Sequence, residues 1–242
     1  MRHLALVFAT CLSFSAAGAP AAEAPGLRRS DVVFMYDDPK MYEPYGCTVL
    51  GWAGGADAKR IDTAHQKGVR LFCSSVGFLT EWSRVIDFSP DFLDAACRNF
   101  AGEPFVVPWL WDHKHKGLPA YWWCTNSPLY RKYLVSRIEK MMQLPLDGLH
   151  IDDYRGTSGA VTWLSGCFCR HCMEGFRKYL ADQVPQEKLS SLGIADLAKF
   201  DYRQSLLDRG VKPEEYNRKR AGLPLAAEFL DFHVKANNAF VA

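Results

Sequence analysis

From residue 31 onward, the chain alternates between strand-like and helix-like patterns of hydrophobic residues. Residues 31–36 and 69–76 are rich in β-branched and aromatic side chains, which is typical of short buried strands. Residues 58–67 and 90–100 carry apolar side chains at helical spacing. The pattern therefore predicts two successive strand-then-helix units.

Two further units follow the first two. Residues 104–111 and 147–153 predict a third and a fourth strand, and residues 127–143 predict a helix that opens with serine followed by proline. Residues 171–181 predict the helix after the fourth strand. Repeated strand-then-helix units imply parallel strands joined by crossovers, so we expect an α/β fold over residues 31–182.

Both a (β/α)8 barrel and an open doubly wound sheet begin with such units. Gly54 and Gly55 have neither the spacing nor the preceding strand that a dinucleotide-binding loop requires. Polar residues collect after the predicted strands, which is where barrel enzymes place their active sites. We therefore expect a TIM-type barrel.

The predicted barrel is incomplete. Residues 183–242 have a mostly helical pattern without a fifth strand, and we interpret them as a helical insertion. A complete barrel takes about 250 residues. In this chain of 242 residues, the leader and the insertion leave too few for eight units. We therefore expect the N-terminal half of a barrel, from a longer protein.

Residues 1–22 have the layout of a secretory signal peptide. A short basic start precedes an apolar run from Leu4 to Phe14, and a tail of small residues contains an Ala-Pro-Ala cleavage sequence. The apolar run is shorter than the roughly 20 residues that span a bilayer. We expect a secreted or periplasmic protein whose mature chain has no membrane span.

Composition excludes some classes of protein. With 48% hydrophobic residues the chain is too apolar to be disordered, and a net charge of +2 argues against a nucleic-acid partner. The full-length protein is a candidate homo-oligomer.

Four cysteines have the spacing of a metal site. Cys124 lies in one predicted loop, and Cys167, Cys169 and Cys172 lie in another. A Cys-x-x-C spacing lets two thiolates reach one tetrahedral ion, and four such ligands close a structural zinc site. His171 competes for the fourth place. The alternative is a disulfide with spare thiols, since exported proteins form disulfides.

Two segments around these cysteines resemble a known family of enzymes. Residues 123–131 read Trp-Cys-Thr-Asn-Ser-Pro-Leu-Tyr-Arg, and residues 167–177 read Cys-Phe-Cys-Arg-His-Cys-Met-Glu-Gly-Phe-Arg. Over about residues 105–182 the chain resembles the first half of glycoside hydrolase family 42 β-galactosidases and related barrels. The resemblance implies one zinc ion held by the four cysteines, and cleavage of a glycosidic bond in an oligo- or polysaccharide.

The fourth predicted strand departs from that family at its end. There the family has Asn-Glu, whose Glu is the acid/base, whereas this chain has Asp152-Asp153. Residues 147–154 also resemble the corresponding strand of other glycoside-hydrolase-like barrels. The resemblance assigns the acid role to Asp153, with Asp152 orienting sugar hydroxyls, and the reverse assignment stays open. A helix cap or an ion pair with Arg155 is the structural alternative for either carboxylate.

Glycoside cleavage usually needs two carboxyl groups that face each other. Because neighbouring residues of a strand point to opposite faces, Asp152 and Asp153 cannot form that pair. The resemblance places the nucleophile on a late strand, beyond residue 242.

Aromatic and polar residues near the predicted strand ends are candidates for binding the sugar, because flat rings suit the faces of pyranoses. Core packing and a solvated loop are the competing explanations. The candidates are Trp109, Trp111, Asp112, His113, Trp122, Asp37 and His150.

Two other functions compete with hydrolysis. A barrel that has lost its acid would be a non-catalytic carbohydrate-binding protein, and the Asp-Asp pair in place of Asn-Glu is consistent with that. A metal-dependent polysaccharide deacetylase would use Asp37 and Asp38 with histidines, but His113 and His115 have the wrong spacing for that chemistry.

Overall fold

The structure is a computed structural model. It describes residues 26–77, 81–152, 156–157, 159–160 and 166–242. The predicted leader over residues 1–22 and the candidate acid Asp153 lie outside the described residues.

The core of the fold is a parallel sheet of four strands in the order β1-β2-β3-β6. These strands are β1 (Val33–Phe34), β2 (Val49–Ala53), β3 (Leu71–Gly77) and β6 (Gly148–Asp152). A separate antiparallel pair consists of β4 (Lys114–His115) and β5 (Leu118–Pro119). The predicted parallel α/β class is confirmed, and half of a barrel stays a prediction.

Helices follow β2 and β3, precede β6 and make up most of the chain after residue 170. They are α1 (Ala58–Gln66), α2 (Trp82–Phe88), α3 (Pro128–Met141), α4 (Arg170–Gln183), α5 (Gln186–Ser191), α6 (Tyr202–Asp208), α7 (Pro213–Lys219) and α8 (Ala226–Val241). Helix α3 begins as the sequence predicts, with extended Ser127 followed by Pro128, whose missing N–H costs nothing in the first turn.

The third predicted strand is wrong. Residues 104–111 form single antiparallel bridges, Arg98 with Pro104 and Val106 with Tyr121, and end in the 3₁₀ turn Pro108–Leu110. The two prolines of this segment have no N–H to donate to a ladder, which limits the pairing to isolated bridges. The predicted helix over residues 90–100 is likewise only the short 3₁₀ turn Phe92–Ala95.

The sequence pattern does not predict strand β2. It directly precedes Gly54 and Gly55, so the expectation that no strand stands before these glycines is wrong. Leu50 of β2 pairs with Phe72 while Ala53 pairs with Ser74, so β2 carries one more residue than β3 over this stretch. This β-bulge breaks the regular alternation that identifies a strand in a sequence.

Helices cover one face of the sheet. Leu50, Ala53 and Phe72 are buried in a cluster with Ile61 and Ala64 of α1. A second cluster joins Val76 and Leu149 to side chains of α2 and α3. On the opposite face, which we call the uncovered face, Val33 and Met35 are exposed, although Val49 and Leu71 are buried. Parallel sheets are normally covered on both faces, so the exposed part of this face is available for further contacts.

A third apolar cluster lies around the cysteines. It contains Cys124, Cys167 and Cys172 together with aromatic side chains of α4, α6, α7 and α8. Helix α8 packs closely on α4, because a Cβ at Gly175 would lie 2.9 Å from the Phe232 ring. No helix in the described part of the chain is long and apolar enough to cross a membrane.

Candidate metal centre and sugar-binding face

The structure brings the four predicted cysteines together. The ligand atoms of Cys124, Cys167, Cys169 and Cys172 all lie within 4.8 Å of one another, and all four residues are buried. The Sγ atom of Cys124 is 3.4 Å from that of Cys172 and 3.6 Å from that of Cys169. Four sulfurs at roughly 2.3 Å from one tetrahedral ion stand about 3.8 Å apart. The arrangement therefore fits one metal ion.

Local backbone geometry positions these thiols. The Cys124 amide donates to the Ala95 carbonyl at 2.7 Å, and its carbonyl accepts from Ser127 at the start of α3. Cys169 is the extended N-cap residue of α4, which places Cys172 in the first turn of that helix. The centre thus joins the segment before α3 to the segment before α4.

Burial and the neighbouring thiols change the pKa values of these cysteines. It raises the pKa of Cys167 and Cys172 well above the usual value for a thiol. It also opposes ionisation of Cys124, but hydrogen bonds from the neighbouring thiols outweigh this effect and lower its pKa. Several thiolates in one apolar cluster repel each other, so a bound cation would stabilise the charged form of the site.

The structure bears on both competing interpretations of this cluster, which are a disulfide and His171 as the fourth ligand. All cysteines among the described residues are free thiols, so the structure forms no disulfide there. His171 is not a ligand: its Nε2 lies 3.0 Å from the Asp94 carboxylate, which Arg170 also contacts.

Polar groups and a fifth thiol surround the centre. Asn126 donates its Nδ2–H to the Cys172 sulfur at 3.4 Å. The Thr157 hydroxyl accepts the Thr125 amide hydrogen at 2.6 Å and so holds the segment next to Cys124. Cys97 is also buried, and burial together with the neighbouring thiols of Cys124 and Cys167 raises its pKa well above the usual value for a thiol. Such outer contacts orient ligands and tune their charge.

Helix α8 contributes a buried histidine to the same region. His233 is fully enclosed, and neither ring nitrogen has a hydrogen-bond partner among the described residues. Its ring lies 4.6 Å from that of Phe229 and 4.7 Å from that of Phe232. Burial lowers the pKa of His233 to about 4, an effect that the nearby Cys124 partly offsets.

We expect His233 to make the protein less stable in acid. The unfolded histidine binds a proton near pH 6.5 and the folded one only near pH 4, so stability is complete above pH 6.5 and falls as the pH drops between these values. At pH 4 the loss should be about 3 kcal/mol. Denaturant unfolding of His233→Leu should show a pH dependence weaker by this amount than that of the wild type. Parallel curves for His233→Leu and the wild type would refute this assignment.

His150 and Asp152 lie on the uncovered face of the sheet. In the parallel register Ser75 pairs with His150 and Gly77 with Asp152, whereas Leu149, the residue before His150, packs against the helices. The side chains of His150 and Asp152 therefore share one face at the carboxyl end of β6.

Two carboxylates near the strand ends, Asp37 and Glu81, have protein partners. Asp37 forms an ion pair with Arg60 and accepts a hydrogen bond from the Tyr42 hydroxyl. Glu81, which follows β3, is buried and contacts Arg137 at 3.4 Å as well as the Tyr133 hydroxyl. These contacts give both carboxylates a role in holding loops together.

The tryptophans predicted to bind the sugar divide into exposed and buried rings. Trp109 is 50% exposed and Trp111 is 72% exposed, so both present ring faces to solvent. Trp122 is only 2% exposed and donates its indole N–H to the Gly156 carbonyl, so its ring belongs to the core and not to a binding surface. Asp112 and His113 are exposed, and the Oδ1 atom of Asp112 lies 3.0 Å from the Nδ1 atom of His113.

No aspartate–histidine metal cluster forms in the described ranges. Among those residues, the cysteines are the only group of three or more His, Cys, Asp or Glu close enough to share an ion. His115 instead pairs with Asp87 at 2.8 Å.

Sequence reasoning missed two aromatic residues on the uncovered face. Tyr36 follows β1, and Trp52 lies in the β2 bulge, where their rings stack 5.7 Å apart. Both residues can be read from the sequence. Their position on the same face as His150 depends on strand β2 and its bulge, which the sequence pattern does not predict.

Comparison with known proteins gives a distant similarity to two enzymes. The chain is 23% identical over 125 residues to the α-agarase of Alteromonas agarilytica, a match that covers 49% of this chain and 9% of that protein. It is 24% identical over 125 residues to the α-agarase of Thalassotalea agarivorans, covering 49% of this chain and 8% of that protein. The chain thus spans under a tenth of the length of these curated relatives.

The other comparisons add no family. No family model matches the chain, and no solved structure matches it. The similarity to the two agarases supports a glycoside-hydrolase-like protein, whereas family 42 in particular has no support.

Proposed function

We propose that this protein is an exported glycoside-hydrolase-like protein that acts on an agar-type galactan. The observation that carries the proposal is the similarity of half of the chain to two α-agarases. The half-buried side chains of His150 and Asp152 on the uncovered sheet face support it, because they lie where parallel α/β enzymes bind substrates. The signal-peptide-like leader supports export, since a large polysaccharide is met outside the cell.

Within this proposal the sheet is half of a (β/α)8 barrel. Asp153 is the general acid at the end of β6, Asp152 orients sugar hydroxyls, and the nucleophile lies beyond residue 242. An acid at this place protonates the leaving oxygen while the second carboxylate attacks the anomeric carbon. Trp109 and Trp111, with Asp112 and His113, contact more distant sugar units.

The four cysteines hold zinc with a structural role. Four buried sulfurs within 4.8 Å of one another suit zinc, and a site closed by four protein ligands leaves no place for substrate. Bound zinc would neutralise thiolate charge and cross-link the segments before α3 and α4. The cysteines themselves keep those segments, and the adjoining loops, in fixed positions.

A polysaccharide panel tests the proposal. Protein expressed from the full reading frame should release reducing ends from agarose, and none from starch, cellulose or xylan. Release of reducing ends from another polysaccharide alone would show that the substrate is not an agar-type galactan. Absence of both release and binding with every polysaccharide would refute the proposal.

A non-catalytic carbohydrate-binding protein is the second candidate. It is favoured by the small part of the agarases that the chain matches, 9% and 8%, which is the size of a module. Retention on agarose without any release of reducing ends would select this candidate.

A further inference from the structure

The bulge in β2 turns one tryptophan toward the uncovered face of the sheet. On either side of the bulge, Leu50 and Ala53 face the helices. Trp52 lies between them and points the other way, where its ring is 6.0 Å from that of His150. Bulges commonly re-aim a side chain next to a functional site.

The same bulge fixes the orientation of His150. The Nδ1 atom of His150 lies 2.8 Å from the Gly51 carbonyl oxygen, reaching across β3 on the uncovered face. Since a carbonyl oxygen can only accept, Nδ1 carries the hydrogen in this contact. In the neutral ring Nε2 then has a lone pair that accepts a hydrogen bond from a ligand hydroxyl.

Tyr36 extends this group of rings to the first strand. Its ring stacks on Trp52 with an interplanar angle of 28°, and it is 73% exposed. The three rings thus run from the end of β1, over the β2 bulge, to β6. A flat exposed aromatic surface next to an oriented acceptor is a common arrangement for binding a pyranose ring.

The charges near these rings favour an uncharged sugar. Asp37 follows Tyr36 in the chain but is paired with Arg60, so this pair adds no net charge near the rings. Asp152 shares the face of His150 and brings a negative charge to it. Carboxylates near a binding surface repel sulfate and carboxylate groups on a sugar.

We infer that Tyr36, Trp52 and His150 form a subsite for a neutral pyranose ring. The C–H face of the sugar packs on the exposed surface of Tyr36 and Trp52, and one sugar hydroxyl donates a hydrogen bond to Nε2 of His150. This inference rests on the proposed function, because it names the sugar that the uncovered sheet face selects.

Calorimetric titration with two oligosaccharides tests the subsite. The probes are an agarose-derived tetrasaccharide, which is neutral, and a κ-carrageenan tetrasaccharide, which carries sulfate. The wild type should bind the neutral probe at least about tenfold more tightly. Tyr36→Ala and Trp52→Ala should each weaken binding of the neutral probe by about tenfold or more, and Tyr36→Phe, which keeps the ring, should bind like the wild type.

Tyr45→Ala is the matched control. Tyr45 is also exposed, but its ring contacts Phe34, whose side chain packs with the helix-side cluster, so its loss should leave binding unchanged. The large exposure of Tyr36 means that its replacement should not disturb folding, and far-UV circular dichroism verifies this for each variant.

The possible failures have separate meanings. If the wild type binds the neutral probe and both alanine variants bind it equally well, the subsite is wrong and the proposed function stands. Equal or tighter wild-type binding of the sulfated probe overturns the selection for a neutral sugar. Absence of binding to any agarose-derived probe overturns both the subsite and the proposed function.

Discussion

Replacement of Cys172 by serine should abolish metal binding and strongly destabilise the protein. Cys172 is buried in contact distance of Cys124, and a serine hydroxyl does not replace the thiolate that a metal ion requires. We expect elemental analysis to find about one metal ion per chain in the wild type and less than about a tenth of that in the variant. Loss of a structural ion and of its cross-link should lower the melting temperature by about 10 °C.

Cys73→Ser is the matched control for this experiment. Cys73 is a partly buried free thiol on β3, outside the group of four, so its replacement should leave the metal content unchanged. A wild-type protein without metal, in which these cysteines form disulfides, would contradict the account of the centre. Equal loss of metal in both variants would contradict the assignment of the ligands.

Asp153→Asn should reduce turnover by about 10²–10⁴-fold in protein expressed from the full reading frame. The amide keeps the shape of the side chain but has no proton to give to the leaving oxygen. The loss should be much smaller with an aryl glycoside, since a nitrophenolate leaves without protonation. Comparison of kcat/KM for the two kinds of substrate therefore separates an acid from a residue that only binds.

Two further variants complete that comparison. Asp87→Asn replaces a surface carboxylate that pairs with His115 and Lys116, and it should keep full turnover. If Asp153→Asn keeps its turnover while Asp152→Asn loses it, the acid role belongs to Asp152 and the proposed assignment is wrong.

Sequence pattern was a good guide where an element is regular and bounded by clear signals. Helix α3 has its serine and proline at the start, and β6 is a short apolar strand, so both were predicted within a few residues. The cluster of four cysteines was predicted because Cys-x-x-C spacing is set by coordination geometry, which does not depend on the rest of the fold.

Pattern failed where tertiary contacts decide the local structure. The segment with Pro104 and Pro108 has the composition of a strand but cannot form a ladder, whereas β2 forms one in spite of Gly51 and its bulge. Trp122 was predicted to bind the sugar, yet its ring is buried and its indole N–H donates a hydrogen bond to the Gly156 carbonyl. The contact of Cys97 with the other thiols depends on pairing between distant segments, which spacing along the chain does not reveal.

Digestion of agarose by protein expressed from the full reading frame, in water labelled with heavy oxygen and stopped before the anomeric oxygen exchanges with the solvent, tests the central claim most directly. Hydrolysis transfers the oxygen of water to the anomeric carbon, so each new reducing end should be heavier by two mass units in the mass spectrum of the oligosaccharides. The account predicts this label in products formed by the wild type and its near absence with Asp153→Asn. Intact agarose, or products with an unlabelled reducing end, would contradict the claim that the protein hydrolyses glycosidic bonds.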